Sequence, residues 1–309
     1  MNRNSIHGKN ETFCLKQYLE EKSSEILNDY NISLLCNHPN FVEVYNIIKS
    51  KKSVDPEILE KGDYTYIIME YCDLGSLENF ISKKWNHGLI SKEFVEHIFI
   101  EVLSGLWHIH SNRCIAHRDI KPENIFLKTN PRNERFPFVK IGDLGVSKIV
   151  TSDNDSLRTF AGTYQFMAPE FKHVGESYTY KIDLWSLAVM MYQLVTYNWP
   201  LGYRDKKCTI NCDYKIDILF VDSCWNDYSE LRNVLQHLLI YDEYDRWGWP
   251  QLFRNEYIQQ LLLRKQLRMM REENPSKYIT EQDAQIILDE ENEMRSFNGL
   301  FNFAYKKTI

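Results

Sequence analysis

The chain has 309 residues, of which 43% are hydrophobic and 26% are charged. These fractions are close to those of ordinary globular domains and exclude a wholly disordered or fibrous chain. The 43 acidic residues outnumber the 37 basic ones, which gives a formal net charge of −6. A nucleic-acid-binding protein usually carries a basic excess, so the charge balance argues against nucleic acid as a partner.

The first residues and the cysteines predict a cellular compartment. Residues 1–10 are polar and carry no secretory signal. The longest apolar run, 184–195, is too short to cross a bilayer, so we expect no membrane insertion. The seven cysteines are irregularly spaced, which is typical of reduced thiols. We therefore expect a protein of the cytoplasm, with the nucleus as the alternative.

Along the chain, the hydrophobic pattern changes from strand-like to helical. Segments 41–48 and 64–71 are rich in β-branched and aromatic residues and predict strands. From Phe94 onward apolar residues recur at helical spacing, and segments 184–195 and 231–240 predict further helices. The sequence therefore predicts an α+β fold with a small strand-rich lobe, a larger helical lobe and a ligand-binding cleft between them.

Several short motifs follow one another in a specific order. His-Arg-Asp-Ile-Lys-Pro-Glu-Asn occupies 117–124, and Asp-Leu-Gly follows an apolar strand at 143–145. Ala-Pro-Glu at 168–170, Asp-Leu-Trp-Ser at 183–186 and Arg246 come next. In this order and spacing the chain resembles the eukaryotic protein kinase family, and the resemblance extends from about residue 12 to residue 258.

The resemblance implies both an architecture and an activity. We expect a bilobal kinase domain over 1–262, with an N-lobe at 1–71 and a C-lobe at 72–262, followed by a charged, helical tail at 263–309. The implied activity is that of a serine/threonine kinase, which transfers the γ-phosphate of ATP to hydroxyls of protein substrates with the help of Mg²⁺.

Four residues match the family's catalytic and metal-binding positions. Asp119 matches the carboxylate that orients the substrate hydroxyl and accepts its proton. Lys121 matches the lysine that steadies the transferring phosphate in serine/threonine kinases. Asp143 and Asn124 match the Mg²⁺ ligands, and their oxygen atoms suit a hard cation.

An upstream lysine matches the residue that contacts the ATP phosphates. Phe-Cys-Leu-Lys at 13–16 resembles the strand that carries it, so Lys16 is the candidate. In the family this lysine pairs with a glutamate on the next helix. Counting back from His-Pro-Asn at 38–40, which resembles the end of that helix, places Asp29 at this position. Because aspartate is one methylene shorter, we expect a longer ion pair or a helix moved inward, with Glu25 as the alternative partner.

The segment after the second predicted strand resembles the connection between kinase lobes. Met69 is expected beside the adenine of ATP, and the backbone of Glu70 and Cys72 is expected to hydrogen-bond the base. Since backbone groups read the base, these side chains predict little about specificity.

Between Asp143 and Glu170 lies the expected activation segment. Thr159 occupies the position where many relatives accept an activating phosphate, with nearby Ser156 and Thr163 as alternatives, which implies an upstream kinase as a partner. Arg118 and Lys148 match the basic positions that receive this phosphate. A structural role is expected for Thr163, near Asp119 and Lys121.

Two further matches concern support of the active site. Glu170 and Arg246 resemble a buried ion pair that ties the activation segment to the C-lobe. Asp183 resembles the carboxylate that braces the backbone at His117 and Arg118.

The main departure from the family pattern concerns the Gly-rich loop that covers the phosphates. Its expected position falls before Met1, so we expect weaker ATP binding without its backbone donors. This departure and Asp29 keep a second hypothesis open, a catalytically impaired kinase-like protein (a pseudokinase or truncated kinase) that acts as a binding or regulatory module. A small-molecule phosphotransferase ranks last, because the motifs at 168–170 and 183–186 are typical of protein-directed kinases.

Overall fold

A computed structural model describes residues 2–4, 10–19, 23–52, 61–85, 90–149, 162–170, 178–200, 220, 223–275 and 280–286. Strands come first along the chain and helices dominate after residue 90, as the sequence predicts. The predicted α+β architecture, with a small N-terminal sheet and a helical C-terminal region, is confirmed.

The N-terminal lobe is an antiparallel sheet of four strands in the order β1-β2-β4-β3. Its strands are β1 (Asn2–Asn4), β2 (Asn10–Leu19), β3 (Val44–Lys52) and β4 (Lys61–Glu70). Helix α1 (Ser23–Leu35) connects β2 to β3. Within β4, residues 64–67 are buried on both faces, which is expected for a central strand rich in aromatic and β-branched residues.

The first predicted strand begins later than the sequence pattern indicates. The pattern begins at Phe41, whereas β3 begins at Val44. Phe41 instead forms an isolated parallel bridge with Ile141, and the Val42 amide donates to the Ile141 carbonyl at 2.9 Å. These two residues therefore pair with the C-terminal lobe and connect it to the N-terminal sheet.

The helical lobe is built around two long helices. They are α3 (Lys92–Asn112) and α4 (Lys181–Thr196). The Ser91 hydroxyl accepts a hydrogen bond from the Phe94 amide at 3.3 Å and so fixes the start of α3. Nearly every residue of α4 is buried, which agrees with the prediction of a helix inside a large core. The remaining helices are α2 (Leu77–Trp85), α5 (Ser229–Leu238), α6 (Trp249–Arg254) and α7 (Glu256–Glu273).

Short strands between β4 and α4 position the loops of the predicted site. Strands β5 (Gly75–Ser76), β7 (Ile125–Lys128) and β8 (Phe138–Ile141) form one sheet. Strands β6 (Ile115–Ala116) and β9 (Lys148–Ile149) form a second. The motif at 117–124 therefore lies between β6 and β7, and Asp143 lies between β8 and β9.

Helix α7 crosses the boundary predicted between residues 262 and 263, so the first part of the predicted tail continues a helix of the kinase domain. Residues 281–286 form a further helical turn, and 287–309 lie outside the described residues. The exact division into domain and tail stays a prediction. None of the helices in the described ranges is long and apolar enough to cross a membrane.

Candidate active site

The backbone of the loop after β6 is held by a buried carboxylate from α4. Asp183 accepts hydrogen bonds from the His117 amide at 2.7 Å and from the Arg118 amide at 2.8 Å. The His110 Nε2 atom lies 2.8 Å from Asp183 Oδ2. Burial alone would raise the pKa of Asp183, but these hydrogen bonds lower it and keep the group charged. This is the bracing contact that the sequence predicts.

Three polar side chains of this braced loop meet Thr163 of the activation segment in one network. Lys121 Nζ lies 2.8 Å from Asp119 Oδ2 and donates to Thr163 Oγ1 at 2.6 Å. Asn124 Nδ2 donates to Asp119 Oδ2 at 2.8 Å, and the Thr163 amide donates to Asp119 Oδ1 at 2.9 Å. Both oxygens of Asp119 are therefore fixed. Thr163 makes the contacts near Asp119 and Lys121 that the sequence analysis expects.

The close approach of Thr163 depends on the glycine before it. Gly162 has a φ of +113°, in the region that residues with side chains rarely adopt. A Cβ atom at Gly162 would lie 2.6 Å from the Arg118 carbonyl oxygen. Only glycine lets the activation segment pass this close to the loop.

Lys16 on β2 lies between two carboxylates. Its Nζ atom is 2.7 Å from Asp29 Oδ2 on α1 and 2.7 Å from Asp143 Oδ1. Both distances are those of charge-assisted hydrogen bonds. Of the two expected alternatives, a longer ion pair or a helix moved inward, the 2.7 Å distance agrees with the second, because α1 lies close enough for the shorter side chain to reach. Glu25 is on α1, but its side chain lies outside the described residues.

The two carboxylates and the lysine stabilise one another's charges. Burial lowers the pKa of Lys16, but the charges of Asp29 and Asp143 raise it by more than burial lowers it. The net pKa is therefore above the usual lysine value, and the ammonium stays protonated. The pKa of Asp143 is lowered by the charge of Lys16, although burial opposes this. Asp143 also has a φ of +60°, a left-handed backbone that is uncommon outside glycine and is found at functional sites.

The Lys16 cluster (Lys16, Asp29 and Asp143) and the Asp119 cluster (Asp119 with its contacts on the loop and the activation segment) belong to one site. The Gly142 amide donates to the Asn124 carbonyl at 2.9 Å, and the His117 Nε2 atom lies 3.1 Å from the Gly142 carbonyl oxygen. Gly142 immediately precedes Asp143 in the sequence, so these bonds connect the Lys16 cluster to the Asp119 cluster. The structure therefore brings together Lys16, Asp29, Asn124, Asp119, Lys121 and Asp143.

The oxygen atoms of this site suit a magnesium ion. Asn124 Nδ2 faces Asp119, which directs the amide oxygen of Asn124 away from it. The side chain of Asp143 is 46% exposed and carries a negative charge. One carboxylate and one amide oxygen are a typical protein contribution to Mg²⁺ bound with phosphates and water. Across the described ranges, no group of three or more His, Cys, Asp or Glu side chains is arranged to hold a metal by itself.

At the end of β4, the residues of the predicted connection to the second lobe make contacts within the protein, and their contact with adenine stays a prediction. Met69 pairs with Cys14 on β2, two residues before Lys16. The Glu70 amide donates to the Glu43 carbonyl at 2.8 Å, and the Cys72 carbonyl accepts from the Gly75 amide at 3.1 Å.

The side chain of Glu70 has a role that the sequence analysis missed. Glu70 is only 7% exposed, and its carboxylate lies 2.8 Å from Lys128 Nζ and 3.0 Å from Lys140 Nζ. Burial opposes ionisation, but the hydrogen bonds from these lysines lower the pKa of Glu70. The carboxylate thus anchors the connection to β7 and β8. No sequence signal pointed to these partners.

The predicted ion pair between Glu170 and Arg246 is present in the structure. Arg246 Nη1 and Nη2 donate to Glu170 Oε1 and Oε2 at 2.6 and 2.9 Å. Arg246 is 1% exposed, so this bidentate pair is buried.

The activation segment is described only at its two ends. Arg118 Nε donates to the Val146 carbonyl, and Arg118 Nη1 donates to the Tyr178 hydroxyl at 3.1 Å. Lys148 lies on β9. Thr159 lies outside the described residues, so its role stays a prediction.

Two polar residues near Lys16 were also missed from the sequence. The Tyr18 hydroxyl donates to Asp29 Oδ2 at 2.5 Å. Asn28 Nδ2 donates to the Ser147 carbonyl at 3.2 Å and lies 3.4 Å from the Gly145 carbonyl oxygen. The only available signal was position: Tyr18 shares a strand face with Lys16, and Asn28 precedes Asp29.

The fold and this site define the class of two-lobed phosphotransferases that hold a nucleotide between a β-sheet and a helical lobe. The family model for the protein kinase domain matches residues 5–258, and the chain belongs to this family. Three relatives illustrate the similarity. The chain is 29% identical to the probable serine/threonine-protein kinase nek1 of Dictyostelium discoideum over 254 residues, covering 78% of this chain and 51% of that protein.

It is 34% identical to the probable serine/threonine-protein kinase nek2 of the same organism over 192 residues, covering 60% of this chain and 41% of the relative. It is 40% identical to mitogen-activated protein kinase kinase 2 of Arabidopsis thaliana over 156 residues, covering 50% of this chain and 40% of the relative. The chain therefore covers between 40% and 51% of the length of these three relatives.

Proposed function

We propose that the protein is a serine/threonine kinase that transfers the γ-phosphate of ATP to serine or threonine hydroxyls of protein substrates. The observation that carries this proposal is the continuous network that runs from Lys16 through Asp143 and Asn124 to Asp119 and Lys121. The names of the relatives, which are serine/threonine-protein kinases and a kinase kinase, support the same class of reaction.

The nucleotide is proposed to bind between the two lobes. In this proposal the backbone of Glu70 and Cys72 hydrogen-bonds the adenine, and Met69 lies beside it. Lys16 binds the phosphates and is oriented by Asp29. Asp143 and Asn124 would hold Mg²⁺, which neutralises phosphate charge when it is bound.

At the other end of the network, Asp119 and Lys121 act on the reacting groups. Asp119 orients the substrate hydroxyl and takes its proton as the oxygen attacks the γ-phosphorus and the bond to ADP breaks. Lys121, 2.8 Å from Asp119, stabilises the negative charge on the transferring phosphoryl group. Because Asp119 is already fixed by Asn124 and Thr163, little reorganisation is needed during the reaction.

Regulation by an upstream kinase belongs to the same proposal. Phosphorylation of Thr159 would add nearly two negative charges to the activation segment. Arg118 is a basic group suited to receive them, and it already contacts Val146 near the start of this segment and Tyr178 beyond its end. Action on proteins of the cytoplasm or nucleus is also proposed.

The test is phosphate transfer from γ-labelled ATP to a general protein substrate, with magnesium present and with excess EDTA. We expect magnesium-dependent labelling of serine and threonine, identified by phosphoamino-acid analysis. Asp119→Asn is expected to lower kcat by about 10²–10⁴-fold, the usual contribution of a general base. Asp227→Asn, an exposed aspartate of the helical lobe, is the matched control and should retain activity. Labelling of tyrosine, or labelling that Asp119→Asn leaves intact, would overturn the proposal.

A further inference from the structure

The ion pair between Lys16 and Asp29 has a third member. Tyr18 lies two residues after Lys16 on β2, so both side chains leave the same face of the strand. The Tyr18 hydroxyl donates to Asp29 Oδ2 at 2.5 Å, and Lys16 Nζ binds the same oxygen at 2.7 Å. Lys16 Nζ is also 5.2 Å from the centre of the Tyr18 ring, within the range of a cation–π contact.

This phenol is a permanent hydrogen-bond donor. Burial raises the pKa of Tyr18, and the hydrogen bond to Asp29 raises it further. The hydroxyl is therefore protonated at neutral pH and donates to Asp29. Asp29 is 4% exposed, so little water is present to replace the phenol if it is removed.

We infer that Tyr18 is a positioning residue that fixes the carboxylate of Asp29 against Lys16. The inference rests on the proposed function for its effect on catalysis, but the positioning itself does not depend on activity. Aspartate carries its carboxylate one methylene closer to the α1 backbone than glutamate does. A second donor on the same oxygen holds this short side chain in the orientation in which it meets Lys16.

The geometry also predicts how a longer side chain behaves. The Tyr18 oxygen already lies at the short end of hydrogen-bond distances from Asp29 Oδ2. A glutamate at position 29 would push its carboxylate into the phenol hydroxyl. Asp29→Glu should therefore disturb the pair when Tyr18 is present and be accommodated when the hydroxyl is absent.

The test measures the chemical reactivity of Lys16 without nucleotide. The chain is treated with a water-soluble activated ester, and acylation of each lysine is followed by mass spectrometry of peptides. An ammonium held by two carboxylates reacts slowly, because acylation requires the free amine. We expect Tyr18→Phe and Asp29→Glu each to raise the Lys16 rate by about tenfold, the order expected for losing a hydrogen bond to a charged group. Lys121 serves as the internal reference.

The double variant separates positioning from a general structural role. We expect Tyr18→Phe combined with Asp29→Glu to return the Lys16 rate to that of the unaltered chain. A purely structural loss would instead accumulate in the double variant. Tyr30→Phe removes a hydroxyl one position from Asp29 on α1, without altering the pair with Lys16, and is the matched control. If Tyr18→Phe does not fold, Asp29→Glu alone still decides, because the inference requires the Lys16 rate to rise.

Kinase activity is measured on the same preparations. Tyr18→Phe should raise the KM for ATP or lower kcat by about tenfold, and leave the KM for the protein substrate unchanged. An inactive unaltered chain whose Lys16 rates change as expected would refute the proposed function and support the positioning role. An active chain in which Tyr18→Phe leaves the Lys16 rate within twofold would refute the positioning role and leave the proposed function intact.

Discussion

Replacing Glu101 with glutamine tests the contact between α7 and the rest of the kinase domain. Glu101 lies on α3, and its side chain is 11% exposed. Lys265 Nζ is 2.8 Å from its Oε2 atom, and Arg268 Nη2 is 2.6 Å from its Oε1 atom. Asn40 Nδ2 also donates to Oε2 at 2.8 Å. The substitution keeps the shape of the side chain and removes its charge.

The depression of the Glu101 pKa gives the magnitude of the expected loss of folding stability. Burial would raise this pKa, but Lys265 and the neighbouring cations lower it from an ordinary 4.5 to about 2. At about 1.4 kcal/mol for each pKa unit, the depression corresponds to about 3 kcal/mol of folding stability. Because the folded pKa lies below the unfolded one, this stability is fully present above pH 4.5 and is lost as the pH falls through about 2.

We therefore expect Glu101→Gln to lower the free energy of unfolding by about 3 kcal/mol at pH 7, within the usual cost of breaking a buried ion pair from one side. The variant should also lose less stability than the unaltered chain between pH 4.5 and pH 2. Urea unfolding followed by tryptophan fluorescence at several pH values measures both effects. Glu93→Gln, an exposed change on the same helix, is the control. A loss below about 1 kcal/mol at pH 7, the value of an exposed pair, would refute the reasoning.

Three other changes test separate parts of the site. Arg246→Met should lower the free energy of unfolding in urea by about 3–5 kcal/mol, because it leaves the Glu170 carboxylate without its buried partner. An unchanged urea midpoint would contradict this. Lys121→Met should lower kcat by at least about tenfold while ATP binding is retained, since the phosphoryl charge loses a cation; equal kcat values would contradict it. Asn28→Ala removes the bond from α1 to the Ser147 carbonyl, worth about 1 kcal/mol, and should lower kcat/KM for ATP several-fold in steady-state assays.

The loop between β6 and β7 could be predicted because its functional residues are close in the sequence. A single backbone turn, braced by Asp183, places Asp119, Lys121 and Asn124 together. The position of Asp29 could also be predicted, because a helix of fixed rise ends at an identifiable motif. The sequence left open whether the pair would be longer or α1 would lie closer, and the structure has Asp29 Oδ2 2.7 Å from Lys16 Nζ.

Contacts between distant segments could not be predicted from the sequence. Arg268 follows Glu101 by 167 residues, and the sequence placed it in a charged, helical tail without indicating which surface it contacts. In the structure, Lys265 is 13% and Arg268 is 18% exposed, and both pair with a buried carboxylate. A charge pattern shows which residues share a helix face but not which surface that face packs against. The carboxylate of Glu70 escaped prediction for the same reason, since its lysines lie on two later strands.

Helix α1 makes contacts inside the candidate site and leads into a turn that contacts Glu101 and α7. In its middle, Asp29 is fixed by Tyr18 and Lys16, and Asn28 reaches the backbone that follows Asp143. The turn after the helix ends at Asn40, which donates to Glu101 and so meets α7. The contacts in the middle act on the orientation of the lysine, whereas those at the turn act on folding stability. Because the two sets share no side chain, changes in lysine reactivity and in unfolding free energy should identify which set a substitution disturbs.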